Sequence, residues 1–241
     1  MKKLAILCLF LASVVRAQEA PTAESILQEM EQAYAGLRSY SDTTTVDFRG
    51  PDGTAGPHVD FKIWLSRPKF IRLDASTRQI EGGPAVREVM WCEGDDARSW
   101  SSAKPVVTRE QIKLAGSKMF GSYAYHIPTL LEASYGGVKR IHQLESPSLL
   151  EDEAVDGADC HHVHGAFQGD PYDLWIGKDD HLVRKLVANY KGYLMEEIHR
   201  EIVTNQPMDM KVFHFAPEEE VAAPVKKATP PPRLPGEHRR P

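Results

Sequence analysis

The fold is decided by residues 59–66, with the sequence Val-Asp-Phe-Lys-Ile-Trp-Leu-Ser. Val59, Phe61, Ile63 and Leu65 occupy every second position, and the residues that alternate with them, Asp60, Lys62, Trp64 and Ser66, are polar except for Trp64. A period of two predicts a β-strand with one buried face and one mostly hydrated face. The stretch ends at Arg67-Pro68, where proline interrupts the alternation.

The segments on either side predict one helix, then strands, a helical middle and a long second run of strands. Apolar residues at three- and four-residue spacing predict a helix over residues 22–40, with Thr22 as its N-cap. Further helices are predicted from residue 108, where Thr108 begins a capping-box pattern, and at residues 129–135 after Pro128. Strands are predicted at residues 41–49, 59–66, 70–73, 86–92, 98–101, 144–150, 159–167, 172–176, 182–190, 194–204 and 210–215. This order indicates an α+β domain with a large antiparallel sheet rather than a βαβ repeat.

The two ends of the chain differ from this central domain at residues 18–220. Residues 1–17 have two lysines, an apolar run and a small-residue cleavage site, which is the pattern of a secretory signal peptide. Residues 221–241 are rich in proline and basic side chains, which predicts a disordered tail. We therefore expect a periplasmic protein that has no transmembrane segment after signal cleavage.

Charge and motifs restrict the function. Without the three basic residues of the signal peptide, the net charge changes from −5 to −8, which argues against a nucleic-acid partner. The sequence contains no Gly-x-Ser-x-Gly, no His-Glu-x-x-His and no phosphate-binding loop. It therefore predicts no cofactor and no metal, and it does not identify a catalytic residue.

Two cysteines, Cys92 and Cys160, remain after signal cleavage. In an oxidising compartment we expect them to form a disulfide, and the alternative is a pair of buried thiols. A second pattern places Cys160, His162 and His164 on one face of a strand. Such residues could bind a metal only if neighbouring strands added ligands, and otherwise they form a hydrated face.

Several local patterns resemble the periplasmic lipoprotein carrier LolA and its relatives. They are residues 37–41 (Leu-Arg-Ser-Tyr-Ser) at the end of the first helix, residues 63–70 around Arg67-Pro68, the turn at 92–95 followed by Trp100, and the closing residues 212–217 (Val-Phe-His-Phe-Ala-Pro). Residues 156–162 and 173–177 look more like an exported subgroup of proteins with this fold.

The resemblance implies a strongly curved antiparallel sheet, an incomplete β-barrel, covered by short helices that act as a lid over an apolar cavity. In this family the cavity receives acyl chains, and the arginine of the Arg-Pro motif, which matches Arg67, lies at its mouth. The ligand-binding residues implied or suggested here are Arg67, Phe61, Ile63, Leu65, Met119 and Phe120. The alternatives are a surface-paired Arg67 and a simple connecting loop at residues 116–125.

Three functions follow, in order of preference. The first is a non-catalytic periplasmic protein that binds a lipid, an acyl chain or an acylated protein. The second is a regulatory or sensor module that docks on an envelope protein. The third is a metal- or thiol-dependent hydrolase that uses Cys160 and the nearby histidines.

Overall fold

The computed structural model of the protein describes residues 20–79, 82–94, 96–110, 126–131, 141–190 and 192–217. The helices are α1 (Ala23–Gly36), α2 (His126–Leu131) and a 3₁₀ helix (Met210–Phe213). The strands are β1 (Ser39–Arg49), β2 (Ala55–Ser66), β3 (Phe70–Arg78), β4 (Ala85–Glu93), β5 (Ala97–Ser101), β6 (Lys104–Glu110), β7 (Glu145–Leu149), β8 (Glu153–Val155), β9 (Ala158–Phe167), β10 (Asp170–Gly177), β11 (Val183–Tyr190) and β12 (Tyr193–Thr204). The predicted signal peptide, the predicted tail, Met119 and Phe120 lie outside the described residues.

The twelve strands form one curved antiparallel sheet in the order β6-β5-β4-β3-β2-β1-β12-β11-β10-β9-β7, with β8 paired to β9. The first and last strands of the chain, β1 and β12, pair in the middle and join the two halves. The sheet is not closed, because β6 and β7 end the order at opposite sides. The predicted α+β class, with a large open antiparallel sheet and a few short helices, is confirmed.

The two faces of the sheet are covered by different parts of the chain. We call the inner face the one that carries Phe61, Ile63 and Leu65, all of them buried in one core cluster with residues of α1 and α2. The predicted alternation of β2 therefore holds. On the opposite, outer face, Phe215 packs between Trp91 and Trp100, with ring centroids 5.1 and 5.4 Å away.

Helix α1 forms where the apolar periodicity predicts it. Its N-cap is Thr22, which exchanges hydrogen bonds with Ser25 in a capping box. The buried residues Ile26, Leu27, Met30 and Tyr34 face the sheet, and the Tyr34 hydroxyl accepts a bond of 3.2 Å from the backbone N–H of Val183. The helix ends at Gly36 rather than at Tyr40, because the chain turns into β1.

Two predictions of secondary structure are wrong. Thr108 does not begin a helix but lies in β6, opposite Ser99 of β5, so pairing with the sheet outweighs the local capping pattern. Residues 210–215 do not form a strand: they contain the 3₁₀ helix, which Asp209 caps. This segment lies across the outer face, where the Arg72 guanidinium donates to the Val212 carbonyl at 3.0 Å. Because it crosses the face of the sheet and does not run along an edge, it does not pair as a strand.

The predicted disulfide is also wrong, because Cys92 and Cys160 are both buried thiols. Cys92 lies in β4 and Cys160 in β9, and six strands separate β4 from β9 in the sheet. Neighbouring strands are about 4.8 Å apart, whereas a disulfide requires Cα atoms within about 7 Å.

Candidate functional site

Arg67 links the two helices that cover the inner face. Its Nε donates to the Leu37 carbonyl at 2.7 Å, and its Nη2 donates to the Leu131 carbonyl at 2.6 Å. Leu37 is the C-cap of α1, and Leu131 belongs to α2. A helix C-terminus carries partial negative charge and unpaired carbonyls, so the Arg67 cation stabilises the end of α1 while it also holds α2.

Below these helices lie the apolar residues that the sequence predicted as the cavity floor. Phe61, Ile63 and Leu65 are at most 3 % exposed. They belong to the same cluster as Ile26, Leu27 and Met30 of α1. Side chains of the helix therefore cover this floor, and a ligand could reach it only if the helix moved.

A second group of inner-face residues was missed by the sequence analysis. We call it the polar cluster: Tyr40, Asp42, Thr44, His126, Glu197 and His199, each of them buried. His199 Nδ1 is 2.7 Å from Asp42 Oδ2, and His199 Nε2 is 3.0 Å from Glu197 Oε1. His126 Nδ1, on α2, is 2.8 Å from Glu197 Oε2. One chain of ionisable groups thus runs from β1 through β12 to a lid helix.

Mutual ion pairing outweighs desolvation at two members of the polar cluster. Burial by itself lowers the pKa of His199, but the carboxylates of Asp42 and Glu197 raise it to about 9. Burial by itself raises the pKa of Glu197, but His126 and His199 lower it to about 2. Both groups are therefore charged at neutral pH. Burial raises the pKa of Tyr40 well above its ordinary value, so its hydroxyl stays a donor.

Strand parity contains the signal for this cluster. Tyr40, Asp42 and Thr44 share the parity of the buried Val46 and Phe48 on β1. Glu197 and His199 share the parity of Met195 on β12 in the same way. Polar residues at inward positions of two neighbouring strands indicate a buried polar site. His126 carries no such signal, because it approaches from a helix about seventy residues away.

The histidine-rich strand forms a different, outer site. His162 Nε2 and His164 Nδ1 lie 3.1 and 2.9 Å from the same Asp173 oxygen. His162 also stacks on Trp175 with ring centroids 4.2 Å apart. The Cys160 thiol contacts the Ala158 carbonyl, and burial raises its pKa. Across the described ranges, no group of three or more His, Cys, Asp or Glu residues could hold a metal ion.

An open groove of about 410 Å³ lies at the other end of β1 and β2. Phe48, Gly56, His58 and Arg78 contribute to its lining. His58 bridges Asp47 and Asp60 there, and these carboxylates raise its pKa against the effect of burial. The groove contains none of the predicted ligand-binding residues. In the part of the chain that the structure describes, no helix is long and apolar enough to cross a membrane.

This architecture defines an open antiparallel half-barrel with a helical cover. Residues 23–223 match the family described as "Predicted periplasmic protein (DUF2092)", and the chain belongs to that family. No curated protein matches the sequence. The description of this family agrees with the predicted export of the protein to the periplasm.

The solved structures to which this chain is similar are distant from it in sequence. The lipoprotein LppX of Mycobacterium tuberculosis is 14% identical, with 78% of this chain and 97% of that chain covered and a TM-score of 0.49. A LolA superfamily protein of Nitrosomonas europaea is 12% identical, with coverages of 81% and 99% and a TM-score of 0.38. A chain in the MucA/MucB complex of Pseudomonas aeruginosa is 12% identical, with coverages of 81% and 62% and a TM-score of 0.47.

Proposed function

We propose that this protein is a non-catalytic carrier of the periplasm that binds a lipid or acyl chain between the inner face and the helices α1 and α2. The observation that supports this most is the contact of Arg67 with the C-cap of α1 and with Leu131 of α2. A single side chain at the end of the apolar floor holds both covering elements. Such an arrangement suits a lid that opens as a unit, with Arg67 as its latch.

Burial of an alkyl chain would offset the cost of separating the helix side chains from the floor. Opening the lid uncovers the floor around Phe61, Ile63 and Leu65, which the lid side chains now keep from water. A bound alkyl chain restores that burial, at about 0.8 kcal/mol per CH₂, or roughly 8 kcal/mol for ten methylene groups. The apolar contribution therefore depends on shape and length more than on particular polar contacts.

The test is native mass spectrometry of the processed protein taken from a periplasm without detergent. We expect an adduct of lipid mass that organic solvent removes. A bare polypeptide that also takes up no fatty acid, fatty alcohol or lysolipid would contradict the carrier proposal.

A second candidate, a module that docks on an envelope protein, is favoured by strand β6. It ends the sheet order, and its adjacent residues Val106 and Val107 are 58 % and 42 % exposed. A strand edge of this kind can accept a further strand from a partner. Val106→Lys with Val107→Lys should then abolish capture of an envelope protein and leave lipid uptake unchanged. Unchanged capture by this double variant would refute docking through β6.

A further inference from the structure

The floor of the proposed cavity contains an acidic side chain that lacks hydrogen-bond donors on one side. Asp42 of β1 lies directly opposite Ile63 of β2, so it shares the inner face with the apolar residues. Its Oδ2 is within 2.7–3.1 Å of Tyr40 Oη, Thr44 Oγ1 and His199 Nδ1. Its Oδ1 is buried and has no hydrogen-bond partner.

Burying a carboxylate oxygen without a hydrogen-bond donor, here Asp42 Oδ1, costs free energy. A carboxylate can accept about four hydrogen bonds, and here all the donors meet one oxygen. Buried polar atoms in folded proteins nearly always have a partner, so an unpaired carboxylate oxygen requires an explanation. A ligand O–H or N–H that reaches Asp42 Oδ1 would provide one.

The lid adds a second requirement for a donor. His126, which contacts Glu197 Oε2 at 2.8 Å, belongs to α2 and moves with it. When the lid opens, Glu197 loses this contact but keeps the one with His199 on its own strand. A plain hydrocarbon chain laid over the open floor would then cover two carboxylate oxygens without donors, Asp42 Oδ1 and Glu197 Oε2.

We propose that the cavity selects an amphiphile that carries a hydrogen-bond donor, a hydroxyl or an amine, which binds Asp42 and Glu197 beside the apolar floor. Ligands whose only polar group is a carboxylate or an ether are disfavoured, because they bring a negative charge or a lone pair to two carboxylates. This inference rests on the proposed carrier function and defines its ligand class.

The experiment measures binding of four ligands with one chain length: decanol, decylamine, decyl methyl ether and decanoate. Isothermal titration calorimetry at neutral pH with the full processed chain gives each affinity. We expect decanol and decylamine to bind about tenfold or more tightly than the ether and decanoate, since one hydrogen bond to a charged acceptor accounts for that factor.

Variants test whether the polar cluster causes this preference. Asp42→Asn and Glu197→Gln should reduce the ratio between decanol and the ether toward one. Glu196→Gln makes the same chemical change one residue away, where the carboxylate pairs with Lys185 on the outer face, and should keep the wild-type ratio. Circular dichroism reports whether each variant folds, and the four-ligand comparison on the wild-type protein stands independently of them.

The outcomes separate the two proposals. Equal affinity for all four ligands, or tightest binding of decanoate, would overturn the donor preference while the carrier function stands. Binding of none of them would contradict the carrier function itself, and the inference with it. Preserved discrimination in folded Asp42→Asn and Glu197→Gln proteins would show that the preference arises elsewhere.

Discussion

Replacing Arg67 by leucine should release the lid and leave the sheet intact. Among the described residues, the variant loses the hydrogen bonds of a charged donor to Leu37 at 2.7 Å and to Leu131 at 2.6 Å. Such hydrogen bonds contribute about 1.5–3 kcal/mol each. Hydrogen bonds from water to the freed carbonyls recover part of this free energy when the lid opens. A net loss of about 3 kcal/mol corresponds to roughly a hundredfold larger population of open lid.

Hydrogen–deuterium exchange with mass spectrometry measures this directly. Amides of α1 and α2 should exchange on the order of a hundredfold faster in Arg67→Leu, whereas amides of β1 and β12 should keep their protection. Arg78→Leu is the matched control, because Arg78 forms a partly exposed pair with Asp60 at 3.1 Å on the outer face. Unchanged exchange in α1 and α2, or equal acceleration of the whole sheet, would refute the assignment of Arg67 as a latch.

Three further predictions concern the polar cluster, the packing of the outer face and the two cysteines. The pKa of His199 is raised from 6.5 to about 9, so its contribution to the stability of the folded protein is fully present below pH 6.5 and is lost as the pH rises through 9. Chemical denaturation at a series of pH values should show this decline in the wild type and much less of it in His199→Gln. Identical stability–pH profiles for the two proteins would contradict the polar cluster. Phe215→Ala removes the ring between Trp91 and Trp100, so we expect a loss of about 3–5 kcal/mol and altered tryptophan fluorescence; native-like fluorescence and stability would contradict the described outer-face packing. Cys92 and Cys160 should both react with a thiol reagent when the processed protein is denatured without reductant, which gives two reactive thiols per chain. A thiol count near zero would mean that the two cysteines form a disulfide.

Local periodicity explains why part of the structure was predictable. The buried face of β2 and the apolar stripe of α1 depend only on spacing within about fifteen residues, and both predictions hold. The long run of consecutive strands indicated an antiparallel sheet because such strands have no crossover helices between them.

The remaining features depend on sheet order, which spacing does not encode. A pairing of Cys92 with Cys160 required β4 and β9 to be neighbours, and the sheet places them far apart. The polar cluster required β1 to pair with β12, two strands at opposite ends of the chain. Asp42 was identifiable as an inward acidic residue from its parity with Val46, but its partners His199 and His126 were not.

The central claim, that a ligand lies between the inner face and the lid, is tested most directly by photo-crosslinking with a diazirine-bearing fatty alcohol. After irradiation, peptide mapping should locate the label on the inner-face residues of β2, around Phe61, Ile63 and Leu65, and on the facing residues of α1. Excess unlabelled fatty alcohol should compete it away. Labelling confined to the groove around Phe48 and His58, or spread over the protein surface without competition, would contradict the account.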